Sequence, residues 1–348
     1  MRYGCPYQGS KDFIAKAIVE ALPPSEVFVD LFAGGCAVTH AAMLSGKFKR
    51  FVANDLGAMP QVFCDAINGA ASDRKRWLRW VSREEFFAET AKSEAERDMG
   101  VLAVWSFGNS CNSYLFGRHV EPWKRALWRA RVDGDFGGLA EFGIVTDDAS
   151  RRAVINHHEE WKQKYVAWFK ARHGADAKAD IGDARHSCNL ERLESLERLQ
   201  SLESLERLES LERLERLQSL ERLERLQMTR LDYRAVPIPA NATVYADPPY
   251  AGTSQEAYAN AARFDTAAFW DWVRSRPFPV FVSEYAAPED FVPWSAFVHH
   301  SRMCATRKMF TTPEQLFVHR RFANVADADR ALMGLPLFTH QIFPSNKD

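Results

Sequence analysis

The stretch VFVDLFAGGC at residues 27–36 decides the fold that the sequence predicts. Its first six residues form an apolar run rich in β-branched and aromatic side chains, which is typical of a buried strand. Gly34 and Gly35 break this run, and the alanine-rich residues 36–43 favour a helix. The stretch therefore predicts a strand, a tight turn and a helix, with Asp30 near the end of the strand.

Three more apolar runs predict strands of the same sheet. Residues 50–53 lead to Asp55 and complete, with the first strand and helix, the opening βαβ unit of a doubly wound α/β sheet. Residues 242–246 lead into a turn with two prolines, and residues 279–283 are another candidate for a buried strand. We therefore expect these segments to share one sheet.

The outer parts of the chain, residues 1–56 and 228–348, thus predict one α/β domain. Residues 57–189 are rich in tryptophan, arginine and lysine, favour helix and contain few β-branched runs that could extend the sheet. We predict that they form a separate, mainly helical lobe. Cationic and aromatic side chains alternate in residues 74–80 and again around Lys124 and Arg125, a pattern that suits contacts with phosphates and bases.

An internal repeat occupies residues 190–227, where 13 leucines recur at every third position. Its composition favours helix, but leucines at this spacing wind around an α-helix because each residue turns by about 100°. A single amphipathic face is therefore excluded, whereas a solenoid of short turns would keep the leucines inward. We interpret the repeat as an expanded connector that leaves the chemistry unchanged. The alternative is a segment that binds a partner or DNA.

Composition and charge limit the class of protein. The 348 residues are 46% hydrophobic with a formal net charge of −1, so a nucleic-acid surface must come from local clusters of charge. We find neither an apolar run near the ~20 residues of a membrane span nor an apolar signal segment at the start. The six cysteines lack zinc-binding spacing. We expect a cytosolic enzyme with reduced thiols, no metal and no membrane partner, and the oligomeric state stays open.

The strongest chemical signal is the motif Asp247-Pro248-Pro249-Tyr250. Two prolines at a strand end fix the backbone and leave carbonyls without ladder partners. An aromatic amine is a poor nucleophile because its lone pair is delocalised into the ring, so a catalyst must accept its hydrogens. The Asp247 carboxylate and the Pro248 carbonyl are suitable acceptors, and the Tyr250 ring can stack on a base. The alternative interpretation is a rigid surface turn.

A second candidate site lies in the glycine turn. Such a turn lets the backbone approach a ligand at the switch point of the sheet, and Asp55 can accept hydrogen bonds from both hydroxyls of a ribose. Asp30 either caps a turn or contributes to this site. Near the N-terminus, Tyr7 and Lys11 precede a helix-like segment, for which an ordinary helix start capped by Ser10 is the alternative.

Together these motifs resemble the Dam-type family of DNA adenine methyltransferases, especially its phage- and prophage-borne members. The resemblance covers nearly the whole chain outside residues 190–227. It rests on a lysine loop, the glycine loop, a central recognition region and Asp-Pro-Pro-Tyr in that order, with FVSEY at residues 281–285. It implies a Rossmann-like doubly wound methyltransferase sheet, S-adenosylmethionine as cofactor, double-stranded DNA as partner and flipping of the target base out of the duplex.

The resemblance also implies roles for single residues. It places Asp232 near the adenine ring of the cofactor, in a strand at residues 231–233, and it places Asn109 and Arg118 in a loop at the DNA. One departure is Cys36, which occupies the final glycine position of the family's Phe-x-Gly-x-Gly loop. The candidate cofactor-binding residues are Tyr7, Lys11, Asp30, Phe32, Gly34, Asp55, Asp232 and Asp247, and the candidate DNA-binding residues are Asn109, Arg118, Lys124 and Arg125.

We therefore expect a site-specific DNA methyltransferase in the cytosol of a bacterium or a phage-infected host. It would methylate the exocyclic amine of a flipped-out adenine directly, without a covalent enzyme intermediate, and residues 57–189 would recognise the target. Two alternatives remain. One is methylation of the exocyclic amine of cytosine, and the other is a non-catalytic DNA-binding protein with a decayed methyltransferase fold.

Overall fold

The computed structural model describes residues 3–5, 7–68, 76–77, 79–174, 225–249, 264–297 and 314–323. The chain divides into two compact units. One comprises Met1–Arg74 and Ser210–Asp348, and the other comprises Lys75–Glu209. The first unit contains a sheet, and the described part of the second unit is built from helices and turns.

The first unit is organised around a seven-stranded, mostly parallel sheet in the order β3-β2-β1-β4-β5-β7-β6. The five strands from β3 to β5 in this order are parallel, whereas β7 runs antiparallel to both of its neighbours. The strands expected from the apolar runs are confirmed as members of this one sheet. Its strands are β1 (Val27–Asp30), β2 (Arg50–Asn54), β3 (Leu226–Thr229), β4 (Ala242–Ala246), β5 (Val280–Glu284), β6 (Phe291–Phe297) and β7 (Glu314–His319).

The order of the strands creates a switch point between β1 and β4. From β1 the chain builds outward to β2 and β3, and β4 then returns to pair with the other side of β1. In this pairing Asp30 lies opposite Tyr245, so the segments that follow β1 and β4 leave the sheet side by side. Open α/β sheets bind ligands in the crevice at such a point, beyond the carboxyl ends of the strands.

Four helices of the first unit are α1 (Ala15–Ala21), α2 (Ala37–Ser45), α3 (Met59–Asn68) and α9 (Thr266–Ser275). Helix α9 is capped by Asp265, whose side chain accepts a hydrogen bond from the Ala268 N–H. Its Phe269 is fully buried and packs in one apolar cluster with the sheet residues Val29 and Val244. Burial of a side chain of this size contributes about 1.5–3 kcal/mol, so the cluster anchors the helix to the sheet.

The described part of the second unit contains α4 (Arg83–Ala91), α5 (Met99–Val104), α6 (Glu121–Trp128), α7 (Ala153–Asn156) and α8 (His158–His173). Helix α4 starts with a reciprocal capping box between Ser82 and Glu85. Trp77 and Trp123 are each 1% exposed, and the Trp123 ring stacks on Tyr165 with 5.0 Å between centroids. These tryptophans of the alternating pattern are therefore core residues in this structure and do not present their rings to a base.

Several details differ from the sequence-based expectations. The strand expected at residues 231–233 is wrong, because β3 ends at Thr229 and the Asp232 side chain caps a 3-10 turn, Tyr233–Ala235. Helix α1 begins at Ala15 after Ile14 and has no side-chain cap, so the Ser10 cap is also wrong. Leu226 and the following glutamine, the last residues of the leucine repeat, belong to β3.

The division into units falls later than the expected boundary after residue 56, since α3 lies in the first unit. The rest of the repeat, residues 190–224, lies outside the described residues. The roles assigned to the three segments therefore stay predictions. In the described part of the chain, no helix is both long and apolar enough to cross a membrane.

Candidate active site

The turn after β4 is held by an ion pair. The Lys11 Nζ lies 2.8 Å from the Asp247 Oδ2, and the two side chains are 9% and 17% exposed. Lys11 is placed by the first turn of α1, because its carbonyl accepts hydrogen bonds from the Ile14 and Ala15 N–H groups. Its Nζ also donates to the Gly9 carbonyl at 3.3 Å. Two residues predicted for the site, 236 positions apart, are thus brought into direct contact.

Further acids lie beside this pair. The Glu314 Oε1 is 3.7 Å from the Lys11 Nζ, and Glu284 at the end of β5 is 6% exposed. Neither glutamate is predicted as a site residue from the sequence: Glu284 enters only as part of the FVSEY motif at residues 281–285, and Glu314 lies in no recognised motif. Behind them the Tyr245 and Ser283 hydroxyls are hydrogen bonded at 2.9 Å, and burial with the nearby Asp247 charge raises the pKa of Tyr245. Among the described residues, the carboxyl edge of the sheet is therefore acidic around the Lys11 ammonium.

The glycine loop after β1 is held by backbone contacts. The Cys5 N–H donates to the Gly35 carbonyl at 2.7 Å. A Cβ on Gly35 would lie 2.5 Å from the Cys5 carbonyl oxygen, and one on Gly34 would lie 2.8 Å from the Tyr7 ring. Only glycine leaves room for the N-terminal segment here. Tyr7, predicted at the cofactor, thus packs directly on the predicted loop.

Cys36 completes this loop in a left-handed conformation, with φ of 61° and ψ of 30°, at the N-cap of α2. Glycine adopts this region readily and other residues rarely do, so Cys36 follows the backbone path expected of the family's glycine. Its side chain is fully buried, and burial raises the pKa of the thiol well above 9.0. The thiol therefore stays protonated at neutral pH and is no thiolate nucleophile.

Asp55, which follows β2, connects the end of that strand to the glycine loop through a side-chain hydrogen bond. Its Oδ2 accepts a hydrogen bond from the Gly34 N–H at 2.8 Å and its Oδ1 accepts one from the Gly57 N–H at 2.7 Å. Burial raises the pKa of this carboxyl, although both hydrogen bonds and the Arg230 charge act in the opposite direction. Each carboxylate oxygen has a further lone pair, so Asp55 can still accept hydrogen bonds from a ribose.

Asp30 is a buried acid at the end of β1. Its Oδ2 accepts a hydrogen bond from the Thr39 hydroxyl of α2 at 2.8 Å. Burial raises the pKa of Asp30 from 3.8 to about 7, the Thr39 hydrogen bond lowers it, and the charges of Asp247 and Asp55 raise it further. Asp30 therefore ties β1 to α2 and is electrostatically linked to both halves of the site.

The other predicted residues of the first unit lie in different surroundings. The Phe32 ring packs against Tyr233, Phe264 and Phe269 at centroid distances of 5.5–5.7 Å. The Asp232 carboxylate is 2.7 Å from the Arg234 guanidinium. Pro248 and Pro249 directly follow Asp247, whereas Tyr250 lies outside the described residues.

The candidate DNA-binding residues divide by exposure. Arg118 and Arg125 are exposed. Asn109 and Lys124 are 7% and 6% exposed, and the Asn109 amide donates to the Ala103 carbonyl at 3.4 Å. In this structure the two arginines can meet a phosphate directly, and the other two side chains are directed into the unit.

A doubly wound sheet with a glycine loop and an Asp-Pro-Pro turn at its switch point is compatible with a Rossmann-like methyltransferase. Residues 7–98 match the family model of D12 class N6 adenine-specific DNA methyltransferases. This match is consistent with a Dam-type family member, and it supports an adenine-specific DNA methyltransferase. The matched region includes Lys11, the glycine loop and Asp55, and it ends well before Asp247. A search of curated proteins gives no match to the chain.

Proposed function

We propose that the chain transfers a methyl group from S-adenosylmethionine to the exocyclic amine of an adenine flipped out of double-stranded DNA at a specific sequence. The observation that carries this proposal is the buried Lys11–Asp247 ion pair beside the glycine loop at the switch point. The family match, which does not include Asp247, supports adenine as the base.

The residues present fit S-adenosylmethionine. The glycine loop lies at the switch point of the sheet, and the Asp55 carboxylate beside it retains acceptor capacity for ribose hydroxyls. When bound, the cofactor supplies an electrophilic methyl group on a positively charged sulfur. Asp55, Gly34 and the backbone around Cys36 would hold it at the end of β1, next to the turn that follows β4.

The chemistry of this chain lies in the Asp247 carboxylate. Formation of the N–C bond would leave the electron pair of the C–S bond on the cofactor's sulfur, and the amine would then have to lose a proton. Asp247 accepts that proton and later releases it to solvent, while the Pro248 carbonyl accepts a hydrogen bond from the other amine N–H. Lys11 fixes the Asp247 Oδ2 at 2.8 Å, so the carboxylate is oriented before the base arrives. Stacking on Tyr250 would offset part of the cost of base flipping.

Mass spectrometry of nucleosides from treated DNA tests the proposal. Incubation of the full chain with S-adenosylmethionine and double-stranded DNA should produce N6-methyladenine. N4-methylcytosine as the product would establish the cytosine alternative. Absence of both products, together with no binding of S-adenosylmethionine in calorimetry, would establish a decayed, non-catalytic protein.

A further inference from the structure

Glu314 is a buried acid that reaches the site from the antiparallel part of the sheet. β7 runs antiparallel to β5, and Gln315 lies opposite Glu284 in their register. The first residue of β7 therefore lies at the edge where the parallel strands end, which is also where Asp247 follows β4. The sheet topology thus brings Glu314 of β7 to the turn that contains Asp247, although Glu314 is remote in sequence from every predicted site residue.

Burial makes the charge of Glu314 depend on its surroundings. The side chain is 2% exposed, and its Oε1 lies 3.7 Å from the Lys11 Nζ. An ionised carboxylate is strongly disfavoured away from water unless opposite charge and hydrogen bonds compensate it. The Lys11 ammonium supplies such compensation. Lys11 therefore lies between two carboxylates, with Asp247 at 2.8 Å and Glu314 at 3.7 Å.

This arrangement has a consequence for the catalytic cycle. When Asp247 takes up the amine proton it becomes neutral, and it no longer balances the Lys11 charge. Glu314 still does. We propose that Glu314 is a positioning residue that keeps the Lys11 ammonium charged and in place beside Asp247 throughout methyl transfer. The inference rests on the proposed function, because it assigns Asp247 the role of proton acceptor.

Other ionisable groups face the same cluster. Burial raises the pKa of Tyr285. Its hydroxyl also interacts electrostatically with the charges of Glu314, Lys11, Glu284 and Asp247. The Tyr245 hydroxyl lies within the fields of Asp247, Glu314 and Asp30. Both tyrosines stay neutral at neutral pH. Within the part of the chain that the structure describes, the charge balance around Asp247 is therefore set by Lys11, Glu314, Glu284 and Asp30.

The test is the Glu314→Gln variant of the full chain, measured by methyl transfer to DNA between pH 5 and 10. We expect kcat to fall roughly 10- to 100-fold through loss of orientation, with KM and the S-adenosylmethionine Kd from calorimetry within about 3-fold of wild type. Without the Glu314 charge, Asp247 is easier to ionise and Lys11 is easier to deprotonate. Both limbs of the kcat–pH profile should therefore move to lower pH by about one pH unit.

Two further variants complete the design. Glu314→Asp retains the negative charge. Both limbs of its kcat–pH profile should therefore stay at the wild-type pH values, even if the shorter side chain lowers kcat. Glu26→Gln removes a glutamate from an exposed ion pair with Lys49 at 2.7 Å and should change neither kcat nor the profile. If Glu314→Gln does not fold, Glu314→Asp decides the matter through kcat: a lower kcat with the wild-type KM supports the proposal, and an unchanged kcat overturns it.

Unchanged kcat and limbs in a folded Glu314→Gln protein would overturn the proposal while the proposed function stands. Limbs that move in Glu314→Asp would also overturn it. A wild-type protein that binds S-adenosylmethionine but methylates no adenine would remove the proposed function and this inference with it.

Discussion

The glycine loop and the Asp247 turn lie side by side at the switch point, yet different forces hold them. The loop is fixed by backbone contacts: the Cys5 N–H donates to Gly35, and a Cβ on Gly4 would lie only 2.3 Å from the Gly35 oxygen. The turn is fixed by charge, through the Lys11 ammonium. Shape therefore governs the proposed cofactor side of the site, and electrostatics governs the proposed catalytic side.

This difference separates the expected effects of substitutions. Added atoms in the loop should lower stability, because packed backbone cannot give way. Removed charges at the turn should lower turnover, because orientation and proton transfer depend on them. Asp30 is the informative exception, since it is a buried ionisable group that follows the pattern of neither side and lies directly before the loop.

The largest effect on stability is expected for Asp30→Asn. With a pKa raised from 3.8 to about 7, the folded protein binds more protons than the unfolded chain between these values. The stability that Asp30 contributes is thus fully present below about pH 4 and is lost as pH rises through 7. Between pH 4 and 8 the wild-type protein should therefore lose on the order of 4 kcal/mol of unfolding free energy through Asp30. The Asp30→Asn variant cannot titrate at this position, so this part of the pH dependence should be absent.

Urea unfolding of wild type and variant at several pH values measures this difference directly. Subtraction of the two curves cancels other groups, including His40, whose pKa burial lowers to about 4 and whose contribution has the opposite sign. Thr39→Val, which removes the hydrogen bond to Asp30, should enlarge the wild-type pH dependence. A difference between wild type and Asp30→Asn that stays constant from pH 4 to 8 would show that Asp30 is not buried as described.

Gly35→Ala should cost about 3 kcal/mol of unfolding free energy, because its Cβ would overlap the Cys5 backbone. Gly46→Ala is the matched control in the same unit. Its φ is +73° with nothing within 4 Å of an added Cβ, so only the conformational cost of about 1 kcal/mol applies. Equal losses in the two variants, measured by chemical denaturation, would contradict the steric origin of the loop's shape.

Cys36→Gly should give the smallest effect. Relief of the left-handed backbone favours glycine by about 1 kcal/mol, and loss of the buried thiol opposes it by a similar amount. The unfolding free energy should stay within about 1 kcal/mol of wild type, and the S-adenosylmethionine Kd should change little. A tenfold change in that Kd would mean that the thiol itself shapes the cofactor side.

Sequence patterns predicted those strands that are continuous apolar runs. β1, β4 and β5 are apolar runs, and their place in one parallel sheet is confirmed. β3 escaped prediction because its residues LQMT are only partly buried at the edge of the sheet and overlap the leucine repeat. That strand ends at Thr229, and Asp232 beyond it caps the 3-10 turn Tyr233–Ala235, so the resemblance placed the strand too late in the chain.

The site was predictable residue by residue but not as pairs. Lys11, Asp55 and Asp247 each stand next to a recognisable motif, whereas the contact between Lys11 and Asp247 depends on how strands distant in sequence pair. Glu314 carries no local signal at all, since only the antiparallel pairing of β7 brings it to this edge. For Trp77 and Trp123 the local pattern was misleading: aromatic side chains next to cations predicted contacts with bases, but both tryptophans are buried in the core.

The most direct test of the central claim is Asp247→Ala in the full chain, with methyl transfer and cofactor binding measured on the same protein. Lys11 keeps Glu314 as a partner in this variant, so the fold should persist. Loss of the proton acceptor should lower adenine methylation by at least about 10³-fold, while the S-adenosylmethionine Kd from calorimetry stays within a few-fold of wild type. Normal turnover by Asp247→Ala would contradict the assignment of this turn as the catalytic centre.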